Sequence, residues 1–75
     1  MLLSIIMDIE NKVKKYTEAY RFGNDHDLNV CLWCSIDEED KEHLLDLIDR
    51  SLPYGTNFEH TYNERGILTV TFKTL

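Results

Sequence analysis

The sequence predicts an α+β fold: one small domain over residues 1–75, with element order α-β-α-β-β. Its expected sheet is three-stranded and antiparallel, with both helices on one face. Three observations predict it. Residues 28–36 read Leu-Asn-Val-Cys-Leu-Trp-Cys-Ser-Ile, apolar at every second position, which is the period of a strand with one buried face. Two segments, 2–21 and 37–51, are apolar at helical spacing. The last third reads as two strands around Asn63-Glu64-Arg65-Gly66, a hairpin turn.

Each element has its own signals. In residues 2–21, Leu2, Ile5, Ile6, Ile9, Val13, Tyr16 and Tyr20 fall on one helical stripe. Leu2, Ile5 and Ile6 share that stripe, so the helix is expected to begin before Met7. Gly23 is expected to stop it, and Asn24-Asp25-His26-Asp27 to form a polar turn. The first strand then runs from about residue 28 to 34. Ser35 or Asp37 caps a second helix, with acids in its first turn where the helix dipole is positive. Leu44, Leu45, Leu47, Ile48 and Leu52 mark its apolar side, and Pro53 ends it. Phe58, His60 and Tyr62 share one face of the next strand. Leu68, Val70 and Phe72 share the buried face of the last. A crossover followed by a hairpin return places the last strand between the other two. The uncovered face then carries Cys31, Trp33, Thr69, Thr71 and Lys73.

Composition narrows the function classes. A hydrophobic fraction of 43% with one proline and three glycines is that of a folded domain rather than a disordered chain. The net charge is −6, and residues 23–52 hold nine of the fourteen acids against only Lys41 and Arg50. Nucleic-acid binding needs clustered cations, so an acidic middle argues against it and suits a basic protein partner. Residues 1–7 are too short and lack the basic start of a signal peptide, and no run approaches a membrane span. The expected setting is the cytoplasm, with no membrane partner.

Two surfaces are candidates for contact. Glu38, Glu39, Glu42, Asp46 and Asp49 project from one side of the second helix, opposite its leucines. A solvated helix face is the plain alternative. Trp33 stands on the open sheet face, where it anchors a partner, pairs two copies, or is covered by Tyr54, a loop or the N-terminal segment. Cys31 and Cys34 form a C-x-x-C, but within a strand their sulfurs point to opposite faces, which opposes redox chemistry. The same split opposes zinc binding with two of His26, His43 and His60. No nucleophile, base and orienting group fall into a usable spacing, so neither an enzyme nor a cofactor protein is expected. The leading expectation is a small stoichiometric inhibitor or adaptor that binds a basic nucleic-acid-handling or defence protein. The parallel with phage and mobile-element inhibitors rests on size and charge alone. The alternative is a homo-oligomer, such as a homodimer, assembled through the open face around Trp33.

Overall fold

A computed structural model describes residues 2–53 and 56–74. The elements are α1 (Leu2–Val13), β1 (Tyr20–Asn24), β2 (Val30–Ser35), α2 (Glu38–Ser51), β3 (Thr56–Tyr62) and β4 (Ile67–Thr74). The sheet has four antiparallel strands in the order β1-β2-β4-β3. The expected three-stranded sheet is therefore wrong by one strand, and the element order is α-β-β-α-β-β.

The missing strand lies inside the segment read as one long helix. The helix ends at Val13, followed by a turn in which Tyr16 and Thr17 both donate to Val13 O. Thr17 Oγ1 then accepts from Ala19 N–H at 3.0 Å, and this local bond diverts the backbone from further helix. Tyr20, Arg21 and Phe22 next alternate in, out and in, with Tyr20 opposite Cys34 and Phe22 opposite Leu32. The misreading has a simple origin: Tyr16 and Tyr20 are four apart, so they also fit a helical stripe. Aromatic residues favour strands once a neighbouring strand can pack against them, and β2 supplies it. Gly23 is not a helix stop. It lies within β1 opposite Cys31, and a Cβ there would come within 2.9 Å of the Trp33 ring.

The strand that begins the sheet's centre starts later than its alternation suggests. Leu28 adopts φ 65°, left-handed for a leucine, and is 80% exposed in the β1–β2 loop. Asp25 fixes that loop by accepting from the backbone of Asp27 and Asn29, both at 2.9 Å, and from the Asn29 side chain at 3.1 Å. Asn29 Nδ2 is the first cause that holds the Asp25 carboxyl below the usual range. The loop's share of stability is thus present above the ordinary Asp pKa and lost as pH falls through the lowered value.

Both helices lie on one face, and the core forms between them. Ile9 and Val13 of α1 and Leu44 and Ile48 of α2 meet Leu32, Cys34, Leu68, Val70 and Phe72 of the sheet. Asp37 caps α2, accepting from Asp40 N–H at 3.2 Å, as its place before an acidic first turn implies. Across the molecule, Gly66 takes φ 80° in the β3–β4 turn and accepts Ile36 N–H at 3.0 Å. The hairpin is thereby tied to the entrance of α2.

Leu44 is fully buried between α1, α2 and the sheet. Leu44→Ala should lower stability by about 2–5 kcal/mol, a large share of what a domain this small has. Urea unfolding should show a lower midpoint with an unchanged slope. Leu28→Asn should raise stability by about 0.5–1 kcal/mol by relieving the left-handed strain, with the same measurement as the check.

Candidate functional site

The acidic face of α2 is built by periodicity and capping. Leu44 and Ile48 turn inward and are buried, so residues on the opposite arc must face solvent. Glu38, Glu39, Glu42, Asp46 and Asp49 are all exposed. Glu42 lies 3.2 Å from Lys41 Nζ, and Asp46 pairs with Arg50 one turn on. Glu38, Glu39 and Asp49 have no salt bridge among the described residues. Lys41 is drawn sideways, its Nζ 4.6 Å from the centre of the Tyr62 ring, and so contributes its charge at the rim of the acidic face. At the helix entrance, partial burial and the nearby Asp37 and Glu39 push the Asp40 carboxyl above its usual range.

Trp33 sits on the other side of the molecule. It is half-buried on the open sheet face, opposite Thr69, with Cys31 opposite Thr71. Its cover is Arg21 of β1, whose guanidinium carbon lies 4.6 Å from the ring centre. The expected covers were Tyr54, which lies outside the described residues, a loop, or the N-terminal segment. Arg21 reaches the indole because β1 pairs beside β2, a neighbour that residue order alone does not specify. A shallow hollow of about 400 Å³ adjoins the indole and is lined by Tyr20, Arg21, Trp33 and Ile67.

Helices cover one sheet face and Trp33 lies on the other, so the structure does not bring the two candidate surfaces together. A flat partner surface engages the five carboxylates or the indole, not both.

The two cysteines divide as strand geometry requires. Cys34 is in the core, and burial pushes its thiol up to about 11. Cys31 faces the open side, 2% exposed, with Sγ 3.6 Å from Thr71 Oγ1. Among the described residues, no group of three or more His, Cys, Asp or Glu side chains is placed to hold a metal. One further concavity, unmarked by any sequence signal, opens between the α2 entrance and the β3–β4 turn, about 600 Å³ in volume. It is lined by Tyr16, Asp37, Asp40, Tyr62 and Arg65 among others.

The chain matches no family model, no curated protein and no solved structure. Its functional reading rests on the surfaces just described.

The buried thiols give a direct test. Both cysteines should resist alkylation at pH 7 in the folded protein and react fully in denaturant, read by mass spectrometry. Because folding raises the Cys34 pKa to about 11, the protein should lose stability as pH climbs from the ordinary thiol range through that value.

Proposed function

We propose that this protein is a stoichiometric binding module, an inhibitor or adaptor, that docks on a basic protein through the outer face of α2. One observation carries the reading: Glu38, Glu39, Glu42, Asp46 and Asp49 are exposed on one side of a helix whose other side is locked into the core. A carboxylate row on a rigid support keeps its spacing, so binding a matching cationic surface costs little ordering entropy. Charge of one sign also speeds encounter and makes it sensitive to salt. Direct nucleic-acid binding fits poorly, since a phosphate backbone would be repelled. The contact is electrostatic at its centre. Trp33, already stacked under Arg21 on the far side, is left to serve a separate contact.

The reading requires no enzymatic step and no cofactor. It places the protein in the cytoplasm, beside nucleic-acid-handling or defence proteins with basic grooves. Among the described residues, no helix is long and apolar enough to cross a membrane.

The test is capture of a partner from host lysate by the tagged protein at about 0.05 M and again at about 0.5 M salt, where the Debye length falls severalfold. The captured protein should be basic, stoichiometric and released at high salt. The informative variant is Glu42→Lys with Asp49→Lys. These positions avoid the first helical turn, where lost acids would weaken the helix through its dipole. The double variant should keep its urea midpoint within about 0.5 kcal/mol of stability, as surface changes do, and lose the partner at low salt. A partner retained by this variant, or bound equally at both salts, would sink the electrostatic reading.

A further inference from the structure

The sheet has two edges, β1 and β3. The turns determine which backbone groups they leave free. Asn63 N–H donates to Ile67 O at 3.1 Å, which makes Asn63 and Ile67 a hydrogen-bonded pair. Such pairs alternate along an antiparallel ladder. Asn57, Glu59 and Thr61 therefore spend their N–H and C=O groups on β4, while Thr56, Phe58, His60 and Tyr62 turn theirs outward. Thr56 N–H already donates to Pro53 O at 3.1 Å. Phe58, His60 and Tyr62 remain, a run of alternate residues with both backbone groups aimed away from the sheet.

Edge strands are ordinarily guarded by proline, lysine, a bulge or shortness. β3 has none of these guards. Its residues pair with β4 in unbroken register from Thr56 to Tyr62, and Glu59 is its one acidic side chain, with no lysine or arginine. Lys73 Nζ lies 3.6 Å from that carboxylate. β1 is shorter, carries Arg21, and runs into the acidic Asp25–Asp27 loop.

We propose that β3 pairs with β3 of a second copy, antiparallel, about a two-fold axis at His60. Two four-stranded sheets then become one continuous sheet with all helices on the same side. In this register Phe58 exchanges both hydrogen bonds with Tyr62 of the second copy, and His60 does so with His60 of the second copy. The three free residues are used and no others are needed. Side chains agree with this register. On the helix side, Phe58 meets Tyr62 of the second copy, twice, a favourable aromatic cross-strand pair. On the open side, Glu59 stands opposite Thr61 of the second copy. The adjacent register, centred on Glu59, needs the occupied Thr56 N–H and sets two like charges directly opposite each other.

Self-complementarity selects a second copy as the occupant: about His60 the same three residues supply both halves of every hydrogen-bonded pair. Each molecule carries −6, and β3 is where two copies meet with one locally bridged acid apiece. The rest of the charge still repels across the dimer. Salt therefore tightens this contact, the opposite of its effect on capture of a basic partner. The dimer does not depend on the reading of α2.

Sedimentation velocity from about 10 µM to about 1 mM protein, at about 0.05 and 0.5 M salt, should show a monomer–dimer equilibrium that shifts toward dimer as salt rises. His60→Pro should abolish it. The His60 N–H faces away from β4, and proline is tolerated on an edge strand where its missing donor faces outward. Circular dichroism checks that this variant folds. Should it not fold, oxidative cross-linking decides. His60→Cys lies on the dyad at a Cα separation of about 5.5 Å and should link two copies. Glu59→Cys faces residue 61 of the second copy and should link far more slowly. The proposal is overturned by a monomer throughout the range. A dimer that survives His60→Pro but disperses with Trp33→Ala, or faster linking at residue 59 than at 60, overturns it equally.

Discussion

Two helices can cover only one face of a four-stranded sheet, and this constraint shapes the rest of the molecule. β2 and β4 have neighbours on both sides and supply Leu32, Cys34, Leu68, Val70 and Phe72 to the covered face. Ile9, Val13, Leu44 and Ile48 complete the core from above. Among the described residues there is no third layer, so the other sheet face is closed in part by its own side chains. Arg21 over Trp33, and Cys31 against Thr71, are how it is partly closed. Tyr20 joins the helix layer to the sheet edge, its hydroxyl donating to Glu10 at 2.6 Å, a bond that raises the tyrosine's pKa.

Much of this was legible in residue order. The acids before Leu44, the Asp37 cap and Pro53 delimit α2 because capping and dipole preferences act locally. The β3–β4 hairpin was legible for the same reason: Asn63 and Gly66 carry out the turn by themselves, Asn63 Oδ1 accepting from Arg65 and Ile67. β1 was not legible. Its Tyr-Arg-Phe alternation is too short to outweigh a helical stripe that Tyr20 also fits, and only pairing with β2 resolves the ambiguity. Leu28 failed in the opposite way. It matched the strand period, but Asp25 holds the loop in a shape that takes it out of the strand.

The candidate surfaces divide along the same line. The outward direction of the α2 carboxylates follows from helical period and needs no tertiary information. The surroundings of Trp33 depend on which strand lies beside β2, so they became visible only with the fold. The free backbone row on β3 depends on strand order too, because the same residues in a central strand would have none free.

The split of Cys31 and Cys34 across β2 has a consequence for how the chain responds to oxidation. Three residues along a strand separate two Cα atoms by about 10 Å, beyond the reach of a disulfide. The native sheet thus keeps its own thiols apart, one in the core and one beneath the open face. A bond between them is open only to a chain in which β2 has left the sheet, and such a bond would bar β2 from returning. Oxidant would act as a ratchet on unfolding: the folded population is spared, while each molecule caught open is withdrawn until a reductant restores it.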